Sequence, residues 1–177
     1  PNCFENILPY QEKVYKEVKH IITVGRFVAQ KDYETAIRTI AEVKKKYDKI
    51  HFDLVGYGEL EAQIRGWVKH YDIDDVTTIY INPHNIPELL NGADIYLSTS
   101  LFEGTSNSIM EGMNANMPIV CTNVGDNGYL VEDGKNGFLT EIGDYKGLAD
   151  RILDLLNDEQ LCESMGKCSK EHLQNDY

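Results

Sequence analysis

Short apolar runs rich in β-branched residues alternate along this chain with longer segments in which apolar side chains recur at helical spacing. The short runs predict six strands, at residues 21–24, 50–55, 76–81, 93–97, 119–121 and 137–139. The longer segments predict helices over residues 33–47, 60–70, 86–90 and 109–115, with two more after the sixth strand. Because strand and helix alternate, we expect an α/β fold: a Rossmann-like three-layer domain whose parallel sheet of about six strands is flanked by helices.

The length of 177 residues suits one domain built around a single sheet. We assign this domain to residues 20–177, where the alternation of strand and helix holds. Residues 1–19 show no such pattern and open with Pro1 instead of methionine. We interpret them as a lead-in from a preceding segment, and the chain as one part of a longer protein.

Charge and composition exclude several classes of partner. The chain carries 17 Lys and Arg against 29 Asp and Glu, a net charge of -12, which would repel a nucleic acid backbone. No apolar stretch approaches the ~18 residues of a membrane span, so we predict no transmembrane segment. The four cysteines lack metal-ligand spacing, so we expect no metal site and a reducing, cytoplasmic location.

Two cations follow the first predicted strand. Gly25 and Arg26 end this strand, and Lys31 lies five residues beyond Arg26, close to the start of the next helix. A helix start offers unpaired N–H groups and the positive end of the helix dipole, and an arginine and a lysine beside it would make a site for a pyrophosphate. The alternative is that both are solvated surface cations.

A second group of polar residues follows the fourth predicted strand. Two acids, Glu103 and Glu111, flank a run of small residues that leads into a helix, namely Gly104, Thr105, Ser106, Asn107 and Ser108. Ser106 or Asn107 could cap this helix, whose first N–H groups could bind an anion. The carboxylates could accept hydrogen bonds from sugar hydroxyls. Alternatively, Glu103 caps the helix and Glu111 lies on a solvated face.

Two glycine-containing turns follow other strands. Residues 124–128 come after the fifth strand and are predicted to form a loop at the rim of the same sheet edge, with Asp, Asn and Gly as ordinary turn residues. Gly56 and Gly58 stand between the second strand and its helix, as in a dinucleotide-binding motif. The third glycine of that motif is replaced by Glu61, which disfavours a dehydrogenase-like domain.

Taken in order, these motifs resemble the family-4 retaining glycosyltransferases over nearly the whole chain. Arg26 and Lys31 have that family's R-x4-K spacing, and Glu103 and Glu111 have its E-x7-E spacing. The resemblance implies the C-terminal domain of the two-domain B-type glycosyltransferase architecture. The N-terminal domain, which would bind a carbohydrate or lipid-linked acceptor, is then absent from this chain.

The same resemblance implies roles for the candidate residues. Arg26 and Lys31 would hold the diphosphate of a nucleotide sugar, Glu111 the ribose hydroxyls, and Glu103 with the loop after it the donor sugar. Catalysis would depend on Arg26, Lys31 and Glu103 and would need no metal, because the cations and helix N–H groups stabilise the departing nucleoside diphosphate. The full-length protein would be cytoplasmic, with peripheral contact at the cytosolic face of a membrane.

Departures from the family pattern leave the donor sugar open. Thr105, Ser106 and Asn107 stand where many members have Phe-Gly after the first glycine, and Asp126 stands where many have a second glycine. Two other functions remain compatible with the residues: an epimerase that uses the same fold on a nucleotide sugar, and a non-catalytic nucleotide-binding module. The resemblance to the family implies a role in polysaccharide or glycoconjugate synthesis.

Overall fold

A computed structural model of the chain describes residues 16–177. All six strands run parallel, in the order β3-β2-β1-β4-β5-β6. They are β1 (Lys19–Arg26), β2 (Ile50–Tyr57), β3 (Thr77–Ile81), β4 (Ile95–Ser98), β5 (Ile119–Thr122) and β6 (Gly137–Thr140). The interpretation of residues 1–19 as a lead-in lies almost entirely outside the described residues.

Seven α-helices connect and cover these strands in the described part of the chain. They are α1 (Tyr33–Lys44), α2 (Glu61–His70), α3 (Ile86–Gly92), α4 (Asn107–Asn114), α5 (Asn127–Leu130), α6 (Tyr145–Leu156) and α7 (Glu159–Asp176). Two short 3-10 helices, Ala29–Lys31 and Asp74–Val76, precede α1 and β3. The predicted parallel sheet flanked by helices is therefore confirmed.

The sheet separates two hydrophobic clusters, as successive strand residues point to opposite faces. Ile21 packs in a cluster with buried side chains of α1, α2 and α6, whereas its neighbour Ile22 packs with α3, α4 and the end of α7. Both isoleucines are fully buried. A strand buried on both faces has no polar alternation, which is why β1 reads in the sequence as a continuous apolar run.

The sheet divides between β1 and β4. β1 and β2 are paired along eight residues, from Lys19 opposite Ile50 to Arg26 opposite Tyr57, but β1 and β4 pair only at two positions. The connections also reverse direction here, since β2 and β3 lie on one side of β1 and β4 to β6 on the other. In open parallel sheets, ligands bind in the crevice outside the carboxyl ends of the strands at this switch point.

Among the described residues, three short elements have no counterpart in the predicted pattern: helix α5 and the two 3-10 helices. Residues 124–128 were predicted to be a plain rim loop, yet Asn127–Leu130 form a single helical turn. Four residues are too few to show helical periodicity, so apolar spacing could not reveal this turn. Other differences are shifts of element ends by one to three residues, as at β4, which starts at Ile95 instead of residue 93.

Candidate functional site

The first predicted cation, Arg26, lies at the carboxyl end of β1 with its side chain exposed to solvent. Its guanidinium stands over the ring of Tyr57 at the end of β2, 5.7 Å from the ring centroid. Within residues 16–177 no acidic oxygen lies within ion-pairing distance of Arg26. The guanidinium N–H groups are therefore open to an external anion at the mouth of the crevice.

The second predicted cation, Lys31, ends the 3-10 helix that follows β1 and folds back over the strand end. A Cβ at Gly25 would stand 3.5 Å from Lys31 Cε and 3.0 Å from the Tyr33 hydroxyl. Gly25 thus lies directly beneath the lysine side chain. The turn is fixed from the β4 side, because the Thr99 hydroxyl donates to the carbonyls of Lys31 (3.0 Å) and Asp32 (2.8 Å).

Lys31 is paired with Glu103, the first predicted acid. Lys31 Nζ lies 2.6 Å from Glu103 Oε1, and the Ser100 hydroxyl donates to the same oxygen at 2.8 Å. The Glu103 side chain is only 8% exposed and that of Lys31 22%. Lys31 is therefore not a solvated cation, and Glu103 does not cap α4. Glu103 Oε2 makes no hydrogen bond to any residue that the structure describes.

The start of α1 differs from the predicted anion site. Asp32 precedes this helix with a left-handed backbone (φ 49°), and its carboxylate accepts a hydrogen bond from the Thr35 hydroxyl at 2.7 Å. A carboxylate thus already stands at this positive helix end. The two predicted cations of this edge therefore come from the end of β1 and from the 3-10 turn that follows it.

The predicted anion loop leads into α4 as the sequence suggested. Ser106 is the N-cap, with its hydroxyl accepting from the Ile109 amide at 3.3 Å. Ser106 is buried and Ser108 half-buried, while three residues of the run are exposed at the edge of the sheet, namely Gly104, Thr105 and Asn107. The first turn of α4 therefore opens beside the Lys31–Glu103 pair with small side chains around it.

The loop after β5 supports the loop that carries Glu103. Gly125 has φ +52°, and a Cβ there would stand 1.8 Å from the Glu103 carbonyl oxygen, so only glycine allows this approach. Asp126 accepts a hydrogen bond from the Thr105 hydroxyl at 2.7 Å. Thr105 and Asp126 are both departures from the family pattern, and the structure joins them to each other.

Glu111 and Tyr96 complete the edge. Burial raises the pKa of the half-buried Glu111 carboxyl above its ordinary value of 4.5, and within residues 16–177 no cation pairs with it. Burial also raises the pKa of the Tyr96 phenol, opposed by a hydrogen bond from Ser108, and the charges of Glu111 and Glu103 add to the increase. Both acids therefore lie within electrostatic range of the Tyr96 phenol.

The predicted residues come from separate elements and meet at the carboxyl edge of the sheet. Gly25, Lys31 and Glu103 are in direct contact, and Glu111, on α4, is close enough to Tyr96 for its charge, like that of Glu103, to raise the pKa of the phenol. Arg26 stands at the β2 side of this group. The sequence reading missed Ser100 and Tyr96, since a serine after a strand and a tyrosine within an apolar run carry no spacing signal.

Neither a metal cluster nor a membrane helix is found in the described part of the chain. Among residues 16–177 no group of three or more His, Cys, Asp or Glu side chains is arranged to hold a metal ion. Within the same range, no helix has both the length and the apolar character needed to cross a membrane.

Comparison with known proteins adds the family context. The family model described as glycosyl transferases group 1 matches residues 5–172. An N-acetyl-alpha-D-glucosaminyl L-malate synthase from Bacillus anthracis is 29% identical over 159 residues, which are 90% of this chain and 42% of that protein. The chain thus spans less than half the length of this relative.

Solved structures share the fold. S. aureus TarM, crystallised with UDP, alpha-GlcNAc-glycerol and Fondaparinux, has a TM-score of 0.88 at 24% identity, covering 97% of this chain and 36% of TarM. Anabaena HepE, crystallised with UDP and glucose, has a TM-score of 0.83 at 22% identity, covering 91% of this chain and 45% of HepE. At these identities the likeness establishes the architecture, which is the B-type glycosyltransferase fold.

Proposed function

The chain belongs to the glycosyl transferases group 1 family, and from this premise we propose that it is the donor-binding domain of a retaining glycosyltransferase of family 4. It binds a nucleotide-diphosphate sugar, and the full-length protein transfers the glycosyl group to a carbohydrate or lipid-linked acceptor held by an N-terminal domain. One observation carries the proposal: Lys31 lies over Gly25 at the carboxyl end of β1, which also carries the exposed Arg26, and it pairs at 2.6 Å with Glu103, which precedes the helix that carries Glu111.

The diphosphate would lie between Arg26 and Lys31. Arg26 has its guanidinium open at the mouth of the crevice, and Lys31 projects over Gly25 at the end of β1. Lys31 Nζ is paired with Glu103 Oε1 at 2.6 Å, and an ammonium group with three donors can bind phosphate while it keeps this partner. The N-terminus of α4 would add backbone N–H groups to the same anion.

The hydroxyl-bearing parts of the donor would lie against the two acids. Glu111 has no cation partner in the part of the chain described here, so its carboxylate can accept the two vicinal hydroxyls of a ribose. Glu103 has one oxygen committed to Lys31 and Ser100, and its Oε2 can accept a hydroxyl of the donor sugar. The loop formed by residues 104–108 would enclose that sugar.

The chemistry follows from where negative charge develops. As the bond between the sugar carbon and the diphosphate oxygen breaks, charge grows on the leaving oxygen, where Arg26 and Lys31 stabilise it. The acceptor oxygen then bonds to the sugar carbon from the face that the diphosphate leaves and passes its proton to the departing diphosphate oxygen, so the configuration is retained. We propose that this stabilisation needs no metal and that the transfer takes place in the cytoplasm or at the cytosolic membrane face.

Calorimetric titration of the folded chain with nucleoside diphosphates and their sugars tests the proposal. UDP is the first ligand to use, since TarM and HepE were both crystallised with it. At least one diphosphate is expected to bind, and the corresponding nucleoside much more weakly. Absence of binding across the panel by a demonstrably folded chain would contradict the proposal. Interconversion of free nucleotide sugars by the full-length protein would instead favour an epimerase.

Replacing Glu111 with glutamine is expected to weaken the preference of the chain for UDP over 2′,3′-dideoxy-UDP. The hydrogen bonds from the ribose hydroxyls to a charged carboxylate would be lost, at a cost of about 1.5 kcal/mol or roughly tenfold in Kd. NMR titration with both nucleotides measures the preference. Glu88→Gln, an exposed acid in the first turn of α3, is the matched control and should leave it unchanged. Equal preferences in the Glu111 variant and the wild type would exclude the ribose role.

The same preference is expected to depend on pH. Hydroxyl donors favour the ionised carboxylate, and burial raises the pKa of Glu111, so lowering the pH towards that pKa protonates the acceptor and reduces the preference. Titrations at about pH 7.5 and about pH 5.5 measure the change. The Glu111→Gln variant should show the same small preference for UDP over 2′,3′-dideoxy-UDP at both pH values. A wild-type preference that stays unchanged at a pH where NMR shows the Glu111 carboxyl to be protonated would mean that Glu111 does not bind the ribose.

A further inference from the structure

The end of β1 leaves two backbone groups without a strand partner on the β4 side. The last pair between these strands is Ile22 with Tyr96. Backbone groups of alternate strand residues face the same neighbour, and the His20 carbonyl accepts from the Asp94 amide, on the β4 side, at 2.8 Å. The N–H and C=O of Val24 therefore also point towards β4, at the level where the strands have diverged.

The hydroxyl of Tyr96 satisfies both of these groups. It accepts a hydrogen bond from Val24 N at 3.3 Å and donates one to Val24 O at 3.1 Å. A phenol can do both because it is donor and acceptor at once. Tyr96 is 1% exposed, so water does not compete for these contacts. The Tyr96 side chain thus spans the crevice between β1 and β4. Its hydroxyl takes the place of the backbone hydrogen bonds that would join the two strands there in a continuous sheet.

The ring of Tyr96 is held from the opposite side by α4. A Cβ at Gly112 would stand 2.8 Å from the ring atom Cδ2, so the ring packs directly on the backbone of this helix. Tyr96 is therefore clamped between α4 and the end of β1. Gly25 and Arg26 follow Val24 without any other bond to β4.

We propose that Tyr96 is a positioning residue for donor binding, which acts by fixing the end of β1 so that Arg26 meets the diphosphate. This inference rests on the proposed function, because it concerns the same ligand. Without the hydroxyl, two part-buried backbone groups lose their partner on the β4 side, and the segment 24–26 is held by its pairing with β2 alone. Arg26 is then positioned less precisely.

A double-mutant cycle with UDP tests this inference. Tyr96→Phe is expected to raise the Kd for UDP roughly tenfold in the wild-type background and less than about threefold in the Arg26→Ala background, because the two changes remove one interaction. NMR titration measures all four Kd values. Ser169→Ala is the control. Ser169 lies in α7, and its buried hydroxyl donates to the Asn136 carbonyl at 3.0 Å. Its removal should lower thermal stability but leave the Kd for UDP unchanged.

The possible outcomes separate the two proposals. If the wild-type chain binds none of the nucleoside diphosphates, the proposed function fails, and if it binds one other than UDP, the cycle is measured with that one. If it binds UDP and Tyr96→Phe binds equally well, or weakens binding by the same factor in both backgrounds, the positioning role is overturned. Gly112→Ala provides a second variant, since its Cβ displaces the ring of Tyr96 while the hydroxyl remains. Gly112→Ala should also weaken binding of UDP in the wild-type background and leave it unchanged in the Arg26→Ala background.

Discussion

Replacing Lys31 with alanine is expected to weaken binding of UDP by about 2 kcal/mol, or roughly 30-fold in Kd, with little effect on uridine. Lys31 places an ammonium group over the end of β1, and a hydrogen bond to a charged phosphate is among the strongest single contacts that a side chain can make. In the full-length enzyme the same change should lower kcat by about 100-fold or more, because charge on the leaving diphosphate grows in the transition state. Titration with UDP and with uridine measures the difference.

Two further variants show whether a loss of UDP binding in Lys31→Ala comes from the diphosphate contact itself. Lys31→Ala also leaves the buried Glu103 without its cation, so circular dichroism must show that the variant is folded. Arg26→Ala avoids this difficulty, because Arg26 has no acidic partner within residues 16–177, and it should weaken UDP binding in the same way. Lys45→Ala, which removes an exposed pair with Glu42, controls for charge alone. Unchanged UDP binding in both site variants would disprove the diphosphate role.

Replacing Gly56 with alanine is expected to destabilise the fold by about 3 kcal/mol or more. β1 and β2 pair at Gly25 and Gly56, and a Cβ at Gly56 would lie 1.9 Å from the Gly25 carbonyl oxygen and 2.8 Å from the Phe27 ring. The nearest obstacle is backbone, which cannot turn away as a side chain can. Thermal unfolding should show a decrease of roughly 10 °C in Tm.

Gly66→Ala is the matched control for this prediction. Gly66 lies in α2 with nothing within 4 Å of the added Cβ, so alanine should stabilise the helix by about 0.5 to 1 kcal/mol. In the same unfolding experiment, Gly56→Ala is expected to lower the free energy of unfolding and Gly66→Ala to raise it. If Gly56→Ala were as stable as the wild type, the close approach of β1 and β2 at the site would be wrong.

The architecture could be predicted because burial leaves a direct trace in the sequence. Strands covered on both faces become apolar runs, and helices packed on one face show stripes, so β1 to β6 and the long helices were all anticipated. The order of the strands in the sheet leaves no such trace, since apolar patterns do not say which strands are neighbours. Helix α5 was missed, since a single turn has no periodicity to detect.

The contacts within the site could not be predicted, because they join residues far apart in the chain. The sequence placed Lys31 and Glu103 near different strand ends but gave no reason to pair them across 72 positions. The hydrogen bond between Thr105 and Asp126 likewise appeared only as two unrelated departures from the family pattern. Spacing within a motif is visible in one sequence, whereas partners across a sheet depend on the fold.

Buried polar partners elsewhere show the same limit. In the sequence, His20 and His51 share no motif. The structure places both rings beside the buried carboxylate of Asp53, with His20 Nδ1 at 2.8 Å from Asp53 Oδ2. Their proximity follows from the pairing of β1 with β2, in which His20 lies opposite His51. The alternation of side chains along a strand predicts on which face of the sheet a residue lies, but not which residue of the next strand lies beside it.

A crystal structure of the chain in complex with UDP would test the central claim most directly. The account predicts that the diphosphate oxygens lie within hydrogen-bonding distance of Lys31 Nζ and the Arg26 guanidinium, while the ribose hydroxyls donate to the Glu111 carboxylate. A nucleotide bound at the β1–β4 crevice with its ribose away from Glu111, or bound at another surface with the Lys31–Glu103 pair undisturbed, would contradict it.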